Sequence, residues 1–163
     1  VVPWVNSIED AEGVVKACRY PPRGIRGVGP IRASNYLANL EEYFENVDEE
    51  ILIIVQIETQ EALNNIDEIL SVDGIDACYF GPVDFSASLG IFGKWNHPRY
   101  KAAVRKVLRT AKRRGVAAGI HCLTPEDAVV RIKQGFQFVA IGLDFTLLIN
   151  GCKEALKMVG VGR

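Results

Sequence analysis

Two carboxylates and one amide lie at the ends of segments that have the composition of buried β-strands. Glu58 directly follows Ile51–Ile57, a run of mostly β-branched residues, and Gln56 lies one pleat earlier on the same side. Asp84 follows the next such segment, Asp76–Phe80, after a short turn. Carboxylates from neighbouring strands, with other positions left to water and substrate, are typical ligands of Mg²⁺ and Mn²⁺. Glu58 and Asp84 are therefore candidate ligands of a divalent metal ion.

A structural interpretation of the same two carboxylates needs no metal. Glu58 would then cap the helix that follows it, and Asp84 would be the N-cap of a helix over Phe85–Leu89. A buried carboxylate without a partner is costly to desolvate, which favours a ligand role for Glu58. Spacing alone leaves both interpretations open.

The segment 81–86 is a second candidate for chemistry. Its Gly81-Pro82 turn leads into a predicted helix start at Val83 and Asp84, where backbone N–H groups converge on one point. Such a point is a natural seat for a carboxylate or a phosphate. An ordinary turn between a strand and a helix has the same sequence, and the pattern alone slightly favours it.

Three weaker candidates are interpreted as structural. His121 follows a predicted strand and could act as a base, but the chain has only one other histidine, His97. The glycines of 24–29 lack the strand running into a helix that a nucleotide-binding loop requires. The basic residues of 105–114 have no interleaved aromatic residues, which is typical of a solvated helix face.

Strand-like and helix-like segments alternate along the chain, with short connections. The predicted strands are Val1–Val5, Ile51–Ile57, Asp76–Phe80, Val116–Ile120 and Phe138–Ile141. The predicted helices cover Ile8–Cys18, the second half of 34–50, Gln60–Leu70, Pro98–Arg114, 124–134 and Phe145–Met158. This order predicts an α/β fold whose parallel sheet is either doubly wound or part of a barrel. In both, functional residues lie at the carboxyl ends of the strands.

The composition indicates an ordinary globular domain. The chain has 163 residues, of which 48% are apolar and 24% charged, and its formal net charge of −1 gives no attraction to nucleic acid or anionic membranes. No apolar run approaches the ~20 residues of a membrane span, and no secretory signal is visible. The scattered cysteines form no CxxC pair, so we expect reduced, mostly buried thiols in a cytoplasmic protein. They are Cys18, Cys78, Cys122 and Cys152.

Several blocks of the sequence jointly resemble the HpcH/HpaI class II aldolases. These blocks are Val2–Val5, Arg19–Gly27, Gln56–Thr59, Asp73–Asp76 and Gly81–Gly90. The resemblance runs along essentially the whole chain and implies a TIM (β/α)₈ barrel. It also implies cleavage of 4-hydroxy-2-oxo acids to pyruvate and an aldehyde, with Mg²⁺, Mn²⁺ or Co²⁺ as cofactor. Family members are commonly homohexamers, so we expect a homo-oligomer.

By position, the resemblance implies that Glu58 and Asp84 are the metal ligands. It also implies that the substrate-binding residues are Gln56, Gly81, Pro82, Val83 and Asp84. Gln56 would contact the substrate, and the backbone of Val83 and Asp84 would bind the pyruvate carboxylate. The metal would act as a Lewis acid on the 2-oxo group.

The chain departs from the family pattern in two core-type residues and in one larger feature. Phe85 replaces a usual leucine, and Trp4 replaces a common methionine. In the family, the histidine base, the aspartate that tunes it and an arginine lie on the first three βα units. Residues 1–163 are expected to form a single partial barrel domain that lacks these units and covers roughly strands four to eight. No catalytic residue is therefore assigned to this chain.

An incomplete barrel leaves two apolar sheet edges unpaired. The first residue, Val1, favours a fragment of a longer enzyme, although a second chain could complete the barrel or the piece could fold alone. One hypothesis is an aldolase in which this chain supplies the metal and pyruvate site, and the alternative is a non-catalytic module that binds metal or 2-oxo acid. A phosphoenolpyruvate- or acyl-CoA-lyase-type barrel should have a different block at Gly81–Gly90. Neither the aldehyde nor the preferred metal follows from the sequence.

Overall fold

A computed structural model describes residues 1–161. Within them the elements are α1 (Ile8–Cys18), α2 (Leu40–Glu50), β1 (Ile54–Ile57), α3 (Gln60–Asn64), α4 (Ile66–Ile69), β2 (Ala77–Phe80), α5 (Pro82–Ser88), α6 (Pro98–Arg114), β3 (Ala117–Cys122), α7 (Pro125–Gln134), β4 (Phe138–Ile141) and α8 (Asp144–Met158). The predicted alternation of strands and helices is confirmed.

The four strands form one parallel sheet in the order β1-β2-β3-β4. Each strand therefore pairs with the next one along the chain, and the intervening helices cover one face. A doubly wound sheet reverses its strand order at a switch point, whereas a (β/α) barrel does not. The topology is that of an arc of a barrel, which decides between the two folds that periodicity left open.

The prediction of a strand over Val1–Val5 is wrong, because only a single bridge forms there. Val2 N donates to Ile54 O and Val2 O accepts from Gln56 N, both at 2.8 Å. The next donor toward β1 is Trp4 N, which bonds Glu58 Oε1 and not a backbone carbonyl of the strand. Trp4 adopts a left-handed φ of 58° and turns the chain away.

Other boundaries also differ from the prediction. The strand expected over Ile51–Ile57 begins only at Ile54, and the third strand extends to Cys122. The helix expected over Gln60–Leu70 is broken at Asn65 into α3 and α4. The Asn65 side chain donates to the carbonyl of Asn6 at 2.8 Å, a contact with a distant segment that spacing within the helix does not predict.

The core lies between the sheet and the helices. Alternate strand residues face it and are at most 2% exposed: Val55, Ile57, Cys78, Phe80, Ala118, Ile120 and Cys122. They pack with buried residues of α4 and α6, such as Ile66 and Val107. Phe85 is fully buried against Phe80, as expected of a core substitution. Trp4 is 63% exposed, so its interpretation as a core residue is wrong for the described chain.

All four cysteines are free, as expected. Only two are buried, however, and Cys152 is exposed. Burial raises the pKa of both Cys78 and Cys122 to about 12, so these thiols stay protonated and unreactive. In the part of the chain that the structure describes, no helix has the length and apolar character needed to cross a membrane.

The surface beyond β4 is unusually apolar. In α8, Leu147, Leu148 and Met158 are 60%, 69% and 87% exposed. Phe138 and Ile141 of β4 are also exposed, and within residues 1–161 β4 has no second partner strand. This arrangement agrees with the expectation that an incomplete barrel leaves an apolar edge open.

Candidate metal and oxo-acid site

The sheet face opposite the core is the inner face of the arc. Gln56 pairs with Tyr79, and Tyr79 pairs with Gly119, so all three point to this face. A Cβ atom on Gly119 would lie 2.8 Å from Tyr79 Cδ2 and 3.0 Å from Phe138 Cδ1. The rings of Tyr79 and Phe138, whose centroids are 5.3 Å apart, therefore close over a position that only glycine fits.

Glu58 is held at the carboxyl end of β1 by two hydrogen bonds. Its side chain is on the inner face, and the residue is only 4% exposed. Glu58 Oε1 accepts from Trp4 N at 2.9 Å, and Oε2 accepts from Gln56 Nε2 at 3.2 Å. The cap of the next helix is Thr59, whose hydroxyl accepts from Ala62 N. The helix-cap interpretation of Glu58 is therefore wrong.

Gly81 leaves the space that the Glu58 carboxylate occupies. A Cβ atom on Gly81 would lie 2.9 Å from Glu58 Oε2 and 3.0 Å from Glu58 Cβ. The φ of Gly81 is −92°, which any residue adopts, so the requirement for glycine is steric. The residue matters because it lets a buried carboxylate lie next to the β2 end.

Asp84 lies in the first turn of α5 and is exposed, with Gly81 as the N-cap. The interpretation of Asp84 as an N-cap is therefore wrong. Burial raises the pKa of Glu58, the hydrogen bond from Trp4 N lowers it, and the negative charge of Asp84 raises it again. The two carboxylates are thus close enough to repel each other electrostatically.

This pair fits a divalent cation better than it fits an isolated structural role. None of the ion pairs within residues 1–161 involves Glu58 or Asp84, so no side-chain cation offsets the buried charge. The same residues contain no cluster of three or more metal-ligating side chains. A metal here would have two carboxylate ligands and would complete its coordination with water and substrate, as Mg²⁺ commonly does.

The start of α5 is beside this pair. Pro82 occupies the first helical position, and the N–H groups of Val83 and Asp84 belong to the first turn, where a helix has no internal acceptor for them. They lie at the same carboxyl edge of the sheet as Glu58. These groups could hold the carboxylate of a small acid next to a metal bound by Glu58 and Asp84.

The sequence and the fold place this chain in a known family. A model of the family described as HpcH/HpaI aldolase/citrate lyase matches residues 1–151. The chain belongs to the HpcH/HpaI family.

Relatives within the HpcH/HpaI family include named aldolases. A hydroxypyruvate/pyruvate aldolase from Pseudomonas aeruginosa is 40% identical over 158 residues, which cover 94% of this chain and 58% of that protein. A 4-hydroxy-2-oxo-heptane-1,7-dioate aldolase from Klebsiella pneumoniae is 41% identical and is matched over 96% of this chain and 59% of its own length. The chain thus spans about three fifths of the length of these relatives.

A solved structure of the HpcH/HpaI family has the same fold. The crystal structure of a family protein from Burkholderia cenocepacia superposes with a TM-score of 0.90 at 29% identity. The match covers 96% of this chain and 63% of that one. The expected α/β barrel class is confirmed, with the described residues forming a partial barrel.

Two residues of the inner face were not predicted as site residues. Tyr79 was overlooked, and His121 was interpreted as structural. In the structure the Tyr79 hydroxyl and His121 Nδ1 are 3.2 Å apart. The signal that identifies them is the two-residue alternation of the strands, because His121 lies two residues after Gly119 and faces the same side.

A Gly81→Ala substitution tests whether the glycine is needed for the position of Glu58. The added methyl group must displace the carboxylate, so we expect Mn²⁺ affinity to fall about tenfold, equivalent to ~1.4 kcal/mol. Electron paramagnetic resonance of free Mn²⁺ measures the affinity. Gly13→Ala is a matched control, because no atom lies within 4 Å of the added Cβ. Equal Mn²⁺ affinity in Gly81→Ala and wild type would contradict the steric argument.

Proposed function

We propose that this chain supplies the metal and pyruvate site of a class II aldolase, which cleaves 4-hydroxy-2-oxo acids to pyruvate and an aldehyde. The observation that carries the proposal is the buried Glu58 carboxylate, whose pKa is raised by burial and by the charge of Asp84, with no side-chain cation beside it in residues 1–161. The family membership and the aldolase names of its relatives support the same reaction class.

Each site residue has a defined part in this proposal. Glu58 and Asp84 hold a divalent ion, for which Mg²⁺, Mn²⁺ and Co²⁺ are candidates. A bound ion would supply Lewis-acid stabilisation of the negative charge that develops as the C3–C4 bond breaks. The N–H groups of Val83 and Asp84 hold the substrate carboxylate. Gln56 donates a hydrogen bond to Glu58 Oε2 and so fixes the Glu58 carboxylate. The same amide contacts the substrate.

Two further residues of the proposed site shape it without bearing charge. Pro82 is buried and begins α5 with a fixed φ, so it orients the two N–H groups that follow it. Gly81 leaves room for the carboxylate of Glu58. We propose Gly81 and Pro82, together with Val83, Asp84 and the Gln56 amide, as the substrate-binding set.

Proton transfer in this proposal requires groups from outside the described chain. The resemblance assigns the base and a charge-stabilising arginine to three βα units before strand four. A positioned base contributes about 10²–10⁴-fold to rate, so the chain alone should turn over substrate slower by at least that factor. We propose that the complete barrel contains these units and that the assembly is a cytoplasmic homo-oligomer. The apolar surface of α8 supports the homo-oligomer, and the four free cysteines support the cytoplasmic location.

A non-catalytic module that binds metal or 2-oxo acid is the second candidate. The inner-face positions of β1–β4 carry no arginine, so the described residues by themselves supply a binding site without a charge-stabilising group. Both candidates require the same metal and oxo-acid site. They differ in substrate cleavage. Addition of the missing βα units should produce cleavage of a 4-hydroxy-2-oxo acid only if the chain is part of an aldolase.

The proposed site predicts that pyruvate binds only together with a metal. Isothermal titration of pyruvate into the chain should give saturable binding with Mn²⁺ present and no binding in EDTA, because the 2-oxo acid needs the ion as its main ligand. Propionate, which has the same carbon chain without the 2-oxo group, is the matched ligand control and should bind more weakly. Equal binding of pyruvate with Mn²⁺ and with EDTA would exclude the proposal.

A further inference from the structure

The Glu58 carboxylate is oriented in part by a residue that is far from it in the sequence. Of its two hydrogen bonds, one comes from Gln56 on the same strand and the other from Trp4 N. Trp4 has a φ of 58°, a conformation that a residue other than glycine keeps only where surrounding contacts hold it. The direction of the carboxylate therefore depends on what holds the segment 4–6 against the end of β1.

Asn6 is bound to the connection that follows β1 through both its side chain and its backbone. The Thr59 hydroxyl donates to Asn6 Oδ1, and Asn65 Nδ2 donates to Asn6 O at 2.8 Å. Thr59 is 8% exposed, and its hydroxyl also accepts from Ala62 N at 2.9 Å. The hydroxyl therefore uses both its proton and a lone pair. Asn6, Thr59 and Asn65 are called the Asn6 network below.

Two neighbouring contacts join the same two stretches of chain. Trp4 N donates to Glu58, and two residues further on Asn6 accepts from Thr59, which directly follows Glu58. One hydrogen bond alone leaves a segment free to pivot, whereas a second bond beside it fixes the orientation of the first. Groups that lie behind a metal ligand and orient it commonly tune the affinity for the metal. The Asn6 network is placed to do this through the Trp4 N–H.

The segment also has anchors that would serve the fold alone. Val5 is 1% exposed in the core, and Val2 forms the single bridge to β1. If these contacts were sufficient to orient Trp4, loss of the Asn6 network would lower only the stability of the chain. The two roles are therefore separated by measuring metal affinity and stability in the same variants.

We propose that Asn6 is a positioning residue for the metal ligand Glu58, with Thr59 and Asn65 as the groups that hold Asn6 in place. This inference rests on the proposed function, because it takes Glu58 as a ligand of the ion. Asn6 acts through the Trp4 N–H and not on the ion itself. Without the Asn6 network, the Trp4 N–H shifts from Oε1 and the carboxylate loses the orientation in which it meets the metal.

An Asn6→Ala substitution tests this role. It removes the acceptor of the Thr59 hydroxyl and should weaken Mn²⁺ binding about 3- to 10-fold, less than the ~10–100-fold typical of groups that bond a metal ligand directly. Electron paramagnetic resonance of free Mn²⁺ measures the affinity at a temperature where the variant is folded in EDTA. The affinity for pyruvate at saturating Mn²⁺ should be unchanged, since Val83 and Asp84 lie on α5.

Asn64 and Asn65 are adjacent residues that form a matched test and control. Asn65→Ala removes the bond to Asn6 O and should weaken Mn²⁺ binding in the same way as Asn6→Ala. Asn64→Ala removes only a hydrogen bond from the Gln60 side chain within α3, so its Mn²⁺ affinity should equal that of wild type. Equal Mn²⁺ affinities in Asn64→Ala and Asn65→Ala would contradict the proposal.

A double substitution shows whether Asn6 acts through Glu58. In the Glu58→Gln background, Asn6→Ala should cause no further loss of Mn²⁺ affinity, because the carboxylate that it positions is gone. The same loss with and without Glu58, or an Asn6→Ala variant that unfolds at a lower temperature but binds Mn²⁺ like wild type, would overturn the assignment and leave the proposed function standing. If wild type binds no Mn²⁺, the proposed function fails and this inference fails with it.

Discussion

We expect Glu58→Gln and Asp84→Asn each to weaken Mn²⁺ binding on the order of 100-fold. Both substitutions keep the size of the side chain but remove one of the two negative charges that face the ion. Loss of a charged ligand of this kind corresponds to ~2.7 kcal/mol. The measurement is Mn²⁺ titration followed by electron paramagnetic resonance. Asp144→Asn is the matched control, because Asp144 also follows a strand of the sheet but lies at the start of α8.

Without metal, we expect the same Glu58→Gln substitution to stabilise the folded chain. Burial, followed by the charge of Asp84, raises the pKa of Glu58 in the folded chain. The ionised carboxylate therefore destabilises the metal-free fold, and this cost appears as pH rises from the ordinary carboxyl pKa through the raised one. In EDTA at neutral pH, Glu58→Gln should unfold at a higher temperature than wild type. The difference should vanish in acid. A lower unfolding temperature at neutral pH would indicate that Glu58 has a structural role instead.

We expect Phe80→Ala to destabilise the chain by about 3–5 kcal/mol, the cost of emptying a fully buried aromatic site. Phe80 is unexposed, and its ring centroid lies 4.9 Å from that of Phe85 and 5.9 Å from that of Tyr100. It links β2 to α5 and α6 one residue before Gly81, so its loss should also loosen the site. Urea unfolding measures the effect, with Phe92→Ala as the control.

The control residue Phe92 is 68% exposed and should change stability by about 0.5 kcal/mol or less. Equal destabilisation by the two substitutions would mean that Phe80 does not anchor the sheet to these helices. A selective loss of stability in Phe80→Ala would show that Phe80 anchors β2 to α5 and α6.

The sequence predicted those parts of the site that depend on local pattern. A mostly β-branched run predicted a buried parallel strand over Ile51–Ile57. The strand β1 occupies the second half of that run, Ile54–Ile57, and Glu58 is a buried carboxylate at its end. The glycine-proline turn at 81–82 predicted a helix start, and α5 begins there. Both predictions rest on residues that are adjacent in the chain. The composition of a buried parallel strand and the preference for proline at a helix start can be recognised within such short segments.

The parts that were missed depend on contacts between distant residues. Trp4 leaves the extended conformation where its N–H bonds Glu58, which is 54 residues away. Tyr79 and His121, which are 42 residues apart in the sequence, meet across the neighbouring strands β2 and β3. No local propensity encodes such pairs, because they exist only once the register of the sheet is fixed.

The most direct test of the account is the position of the metal itself. A crystal of the chain grown with Mn²⁺ and pyruvate should show one anomalous diffraction peak between the carboxylates of Glu58 and Asp84. The pyruvate carboxylate should lie at the N–H groups of Val83 and Asp84. A peak at any other place, or an intact site that contains no manganese at saturating Mn²⁺, would contradict the central claim.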